Sequence, residues 1–247
     1  MRYKAKELLL ENGSSPFAKW FSSLESVTAS KVRIAIKRME QGNLSNVKYF
    51  RGIGEYRLHK PTKLRIYFAK DDQNNIILLI GGGGESRQQD DINEAIALFE
   101  DYKRCNAVLK KGKWDMVALT RDFSETVAER IKDDPVFAQA LFDEAITLFV
   151  NGEADTAQSI LCELAEAMIG FEVVGEEIQR PNPTMSSISA IIAAIKRALK
   201  VEIHTQIVSA VWTKKALHFM QGLPDYNTHT LKYQKSPKNW AFFHSAT

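Results

Sequence analysis

The 247 residues predict an α+β unit, a helix pair plus a twisted antiparallel sheet, followed by an all-α unit. Three observations carry this. The apolar period changes from 3.6 to 2 at Gly54 and returns to 3.6 after the glycine run at 81–84. From Met116 onward the helical period persists. The charge also reverses along the chain: residues 1–113 hold 21 Lys+Arg against 13 Asp+Glu, residues 114–200 hold 7 against 15, and residues 201–247 hold 5 against 2. These are net charges of +8, −8 and +3, the pattern of a polyanion-binding module beside a segment able to cover a positive surface.

The segment "SSPFAKWFSSL" starts the first helix, with Ser15 as cap, Pro16 in the first turn, and Phe17, Trp20, Phe21 and Leu24 as an inward stripe. A second helix turns Val32, Ala35, Ile36 and Met39 inward and stops at Gly42, so two helices precede any strong strand. "GEYRLH" then sets Tyr56 and Leu58 against Glu55, Arg57 and His59, and "KLRIYFAK" sets Leu64, Ile66 and Phe68 against Arg65 and Tyr67. In a hairpin the apolar faces coincide only with an odd-length loop. A three-residue loop at Pro61 to Lys63 places Leu58 opposite Ile66, Tyr56 opposite Phe68, Arg57 opposite Tyr67 and His59 opposite Arg65. The outcome is a cationic, aromatic-bearing sheet face. "NNIILLIGGGG" reads as a buried central strand, and "QQDDINEAIALFEDYK" as a closing helix with Ile92, Ala95, Ile96 and Phe99 inward.

From Met116 to about Ile178 the sequence is helical by local rules. Asp122 with Glu125 suggests a capping box, and Asp134-Pro135 a second start. Phe137, Leu141, Ala145, Leu148 and Phe149 form one stripe, Asn151-Gly152 a break, and Ala157, Ile160, Leu161, Leu164 and Met168 the next stripe. Ser186 and Ser187 are candidate caps for a helix with Ile188, Ile191, Ile192, Ile195 and Leu199 inward. "VEIHTQIV" is a candidate short strand, and residues 209–247 form an unassigned basic, aromatic tail. Cys105 and Cys162 have neither disulfide-framework nor zinc spacing, and no apolar run is long enough to span a bilayer. A cytoplasmic protein with no metal and no cofactor is expected. The "GGGG" run lacks the GK[ST] ending of a nucleotide loop.

"SPFAKWFSSL", "GNLSNVKYFRGIGEYRL", "LRIYF" and "LLIGGGGESRQQDDINEAIALFEDYK" together resemble the RelE/ParE superfamily, specifically the HigB-like, phage-derived killer proteins of addiction modules. The resemblance implies an α+β toxin at residues 1–113, of a kind that cleaves messenger RNA on the ribosome. It also implies Arg57 and Arg65 as phosphate-stabilising catalytic residues and Tyr67 as a stacking group or proton donor, with His59, Lys63 and Arg87 as RNA-binding residues. The family usually carries an Asp-Lys pair after the glycines, where this chain has Gly84 and Glu85, and a Gly-aromatic pair where it has Lys63 and Leu64. An acidic side chain in place of a cation repels RNA phosphates, so weakened or absent cleavage is expected.

"ALTRDFSETV", "LFDEAITLF", "NGE", "IGFE" and "NPTMSSISAIIAAIKRAL" resemble the antidotes encoded beside such toxins, HigA-like regulators with a Cro/CI-type helix-turn-helix. The resemblance covers residues 116–208 and makes Met116 the match to an antidote's own start. About a dozen residues of the family pattern are missing near 179–183, which truncates the helix-turn-helix at its recognition helix and counts against operator DNA as a partner. The expectation is a fused toxin and antidote, with the acidic half docked on or beside the basic face in cis, or in trans in a homodimer. The alternative is a catalytically inert regulatory or DNA-binding protein derived from such a pair.

Overall fold

The computed structural model describes residues 3–58, 63–83, 86–109, 119–170 and 185–199. Among them the fold is α+β, with seven helices and a mixed six-stranded sheet. The strands are β1 (Lys4–Leu8), β2 (Val47–Phe50), β3 (Ile53–Arg57), β4 (Leu64–Lys70), β5 (Asn75–Gly83) and β6 (Thr120–Asp122), in the order β2-β3-β4-β5-β1-β6. The helices are α1 (Pro16–Ser23), α2 (Ser26–Glu40), α3 (Gln88–Leu109), α4 (Phe123–Asp133), α5 (Pro135–Val150), α6 (Ala154–Ile169) and α7 (Met185–Leu199).

The helix starts follow from local chemistry. Ser15 Oγ accepts the Ala18 N–H at 3.0 Å ahead of Pro16, and Asp134 Oδ1 accepts the Phe137 N–H at 2.9 Å ahead of Pro135. The inward stripes of α1, α2, α5, α6 and α7 face the core as the spacing requires, with Trp20, Leu24, Phe149, Met168 and Leu199 only partly buried at its margin. Gly42 and Gly152, at φ 90° and 84°, close α2 and α5 in the left-handed conformation.

Five expectations are corrected. The sheet is not wholly antiparallel: β1 precedes the helix pair and runs parallel to β5, from Lys4 opposite Asn75 to Glu7 opposite Leu78. The β3–β4 register differs by two residues, with Tyr56 opposite Ile66, Arg57 opposite Arg65 and Glu55 opposite Tyr67. An even shift leaves each side chain on its expected face, so alternation could not tell the two registers apart. Thr120–Asp122 is a strand rather than helix, pairing antiparallel with β1. Asp122 still precedes α4 but makes no side-chain cap bond, because its carboxylate meets Lys4 Nζ at 2.8 Å. Ser186 and Ser187 fall inside the first turn of α7 rather than ahead of it.

Alternation along the strands builds two cores. Ala5, Tyr56, Ile66, Phe68, Ile76 and Leu78 face α1 and α2, whereas Leu8, Ile53, Tyr67, Ala69, Ile77 and Leu79 face α3. The first core continues without a break into α4, α5, α6 and α7. Phe17 and Phe21 meet Phe123 edge to face at 5.4 and 5.2 Å, and Phe21 meets Phe137 at 5.9 Å. Arg130 lies 5.0 and 4.8 Å over the Phe21 and Phe137 rings and donates to the carbonyl oxygens of Phe21 and Leu24.

A polar seam runs beside this aromatic contact. Arg33, 1% exposed, forks onto Glu163 at 2.9 and 3.0 Å and reaches Glu40 at 3.4 Å. Burial alone would favour the neutral guanidinium, but the two carboxylates outweigh it and hold its pKa above the ordinary arginine value. Arg38 makes a second fork, 2.8 Å to each oxygen of Glu153.

Candidate functional site

Glu55 and Arg57 are two residues apart on β3, and Arg65 and Tyr67 two apart on β4, so all four project from the sheet face that carries α3. The register brings them into one cluster. Glu55, 1% exposed, is its centre. Its Oε2 accepts from Arg57 Nε at 3.1 Å and Nη2 at 2.9 Å, and its Oε1 lies 3.0 Å from Arg65 Nε. The same Oε1 accepts from Gln88 Nε2 of α3 at 2.9 Å and from the Tyr67 hydroxyl at 3.5 Å.

Exposure divides the group. Tyr67 is fully buried and Arg65 is 9% exposed, whereas the Arg57 side chain is 53% exposed and is the open side of the cluster. Burial, then the charges of Glu55 and Asp91, push the Tyr67 phenol up to about 12, so it remains a neutral donor near pH 7. Arg57, Arg65 and Glu55 together carry one positive charge, with the two cations shared on one carboxylate.

The glycine run lets α3 come this close. A Cβ on Gly82 would sit 2.2 Å from Asp91 Oδ2 and 3.4 Å from the Tyr67 ring. A Cβ on Gly81 would meet the Trp20 ring at 2.1 Å on the opposite face. The two glycines therefore admit a carboxylate from one side of β5 and an indole from the other. Asp91 Oδ2 is buried without a hydrogen bond, and burial pushes this carboxyl up, partly opposed by Arg87 and Arg65.

Of the residues the resemblance implies, Arg57, Arg65 and Tyr67 are brought together. Lys63 and Arg87 are exposed, Lys63 one residue before β4 and Arg87 one before α3. His59, Gly84, Glu85, Met116, the truncation near 179–183, "VEIHTQIV" and the tail 209–247 lie outside the described residues. Glu55, Gln88 and Asp91 carried no sequence expectation. For Glu55 a signal existed, since Glu-x-Arg on a strand puts an acid and a cation on one face.

The second half meets the first along α1, α2 and β1, on the sheet face opposite Glu55 and at the β1 edge. Among the described residues no three His, Cys, Asp or Glu side chains form a metal-holding group, and no helix is long and apolar enough to cross a membrane. Cys105 on α3 and Cys162 on α6 are half-buried, and burial pushes the Cys162 thiol up to about 11, which leaves it protonated and unreactive at neutral pH. Compared with protein-family models, curated proteins and solved structures, the chain matches none.

Proposed function

We propose that the chain is a fused toxin and antidote, in which residues 1–113 carry an RNA-cleaving site and residues 116–208 help hold it in an off state. The observation that carries this is the convergence of Arg57, Arg65 and Tyr67 on one carboxylate, with Arg57 half exposed. Two guanidinium groups about one anion suit a phosphodiester, whose oxygens can replace those of Glu55. The cleavage forms a bond from the ribose 2′-oxygen to phosphorus, with the hydroxyl proton passing to solvent water, and breaks the bond from phosphorus to the 5′-oxygen. Arg57 and Arg65 stabilise the charge on the phosphoryl oxygens, and Tyr67 supplies a proton towards the leaving oxygen.

Glu55 is the internal competitor for that phosphate. As long as it holds both arginines, RNA must displace a buried, multiply bonded carboxylate in order to bind. Among the described residues the antidote-like half supports the off state from the far side of the sheet, through the aromatic contact of α1 with α4 and α5 and through the β1 edge. Full burial of Tyr67 favours a second reading, an RNA-binding protein without cleavage, because a sealed phenol cannot reach a leaving oxygen without a rearrangement.

The test uses the full chain with translating ribosomes, mapping message ends by primer extension. The expected result is little cleavage by the wild-type chain, clear cleavage by Glu55→Gln, and none by Glu55→Gln with Arg65→Ala. RNA binding without cleavage in every variant selects the second reading, and neither binding nor cleavage refutes both.

A further inference from the structure

The β2–β3 hairpin closes through a two-residue turn, Arg51-Gly52, at φ 48° and 83°. Both central positions of such a turn need positive φ, and Asn-Gly fills them best. Arginine rarely adopts that conformation, so its presence at the tip sets a cation where the backbone alone would choose otherwise. Beside the tip lies a cleft of about 390 Å³, lined by Tyr49, Phe50, Arg51, Ile53 and Lys70. Its size falls within the ~300–1,000 Å³ of small-molecule sites.

The lining joins an aromatic surface to cations. Tyr49 is 53% exposed, and its ring stands edge to face on Phe68 at 6.2 Å, because Gly54 opposite it has no side chain to intervene. Lys70 Nζ lies 5.4 Å from the Tyr49 ring and 4.7 Å from the Tyr3 ring, and donates to the Tyr3 hydroxyl at 3.3 Å. Arg51 is exposed at the tip beside it. The nearest acid in sequence, Asp71, is committed to its own turn, accepting from Gln73 N, Asn75 N and Asn75 Nδ2 at 2.9, 2.8 and 2.7 Å.

An exposed ring rimmed by cations suits an unpaired base with its phosphates, since stacking accepts any base and the cations follow the backbone. Tyr49, Phe68 and Lys70 stand on the sheet face opposite Arg57, and β2 is the edge strand, so an RNA strand that touches both the cleft and the open side of the Glu55 cluster passes around the β2 edge. We infer that the cleft at the hairpin tip is a second RNA contact, with Tyr49 stacking an unpaired base and Arg51 and Lys70 binding the phosphates beside it. The choice of RNA rests on the proposed function.

The experiment titrates the full chain, by fluorescence anisotropy over a range of salt, with a labelled single-stranded RNA decamer, the same sequence as DNA, and an RNA duplex. Tyr49→Leu keeps an apolar cover on Phe68 but no stacking face, so affinity for the decamer falls about tenfold with its salt slope unchanged. Tyr49→Phe retains affinity, and Arg51→Ala lowers the slope of log K against log salt by about 0.7. Thermal unfolding confirms that each variant is folded. A folded Tyr49→Leu within twofold of wild type, an unchanged slope in Arg51→Ala, or no binding of the decamer overturns the inference. Equal binding of the DNA strand or the duplex overturns the assignment to single-stranded RNA. Cleavage with Glu55→Gln beside a Tyr49-independent affinity removes this inference alone, and a Tyr49 effect without cleavage in any variant removes only the nuclease reading.

Discussion

Two clusters of arginine and glutamate use the same chemistry at different exposure. At the seam between the halves, Arg33 is shared by Glu163 and Glu40, Lys37 reaches Glu40 at 3.3 Å, and the guanidinium is sealed. On the α3 face one carboxylate is shared by two guanidinium groups, Glu55 by Arg57 and Arg65, and one side is open. The Arg33 guanidinium has no access to solvent, and its carboxylate partners are only 17% and 11% exposed. In the second cluster Arg57 is half exposed, so its guanidinium meets solvent as well as Glu55. Exposure, more than the presence of ion pairs, separates the two groups.

The largest expected effect tests the sealed side. Arg33→Met leaves Glu163 without its guanidinium and Glu40 with Lys37 alone, and should cost about 3–5 kcal/mol in urea unfolding, with much of the loss recovered by adding Glu163→Leu. A loss below about 1 kcal/mol would show that the seam is already hydrated and carries little. On the open side, Glu55→Gln should cost less, about 1–3 kcal/mol, because half-exposed Arg57 regains water and only Arg65 stays largely buried. An equal or greater loss than Arg33→Met would reverse the contrast between the two clusters.

Acidity adds a finer distinction. Burial raises the Glu40 carboxyl, but Arg33 and then Lys37 lower it further, leaving it below its ordinary 4.5. Its contribution to stability is therefore present above about pH 4.5 and lost as pH falls through the depressed folded value. Glu7 on β1 has the opposite sign. It is fully buried, and burial outweighs its bonds to Thr126 and Ser15 and the charge of Arg121, leaving it above 4.5. Its contribution is present below about pH 4.5 and lost as pH rises through the raised folded value. Urea midpoints from pH ~3 to ~8 should show Glu40→Gln flattening the acid side of the profile and Glu7→Gln flattening the side above it. The smallest effect belongs to Lys4→Ala: Lys4 is 63% exposed in its pair with Asp122, so the free energy of urea unfolding should change by less than about 1 kcal/mol.

What was legible in the sequence is what local chemistry decides. Ser15-Pro16 and Asp134-Pro135 start helices wherever they stand, and the stripes Val32–Met39 and Ile188–Ile195 state which face is inward. β1 gives no such signal: Lys4, Lys6 and Glu7 interrupt it, and it is a strand because β5, some seventy residues later, and β6 flank it. The three residues of β6 are too few for any period. The site was half legible. Period two placed Arg57, Arg65 and Tyr67 on one face, and Glu55 on that same face. The sealing of Tyr67 depends on α3 approaching at Gly82, a contact set by packing rather than by spacing.

β6 also has a consequence in time. The first strand made waits for the last: β1 gains its parallel neighbour only when β5 is complete at Gly83, and its other edge is covered only when Asp122 has been added. At about 5–20 residues per second, the stretch from Gly83 to Asp122 takes about 2–8 s to synthesise. In that interval the nascent N-terminal half presents one edge of unpaired amides and the bare rings of Phe17 and Phe21. Translation itself thus sets a brief period in which β1 lacks its edge partner and α1 lacks Phe123 and Phe137, and each ribosome passes through it on every copy of the message.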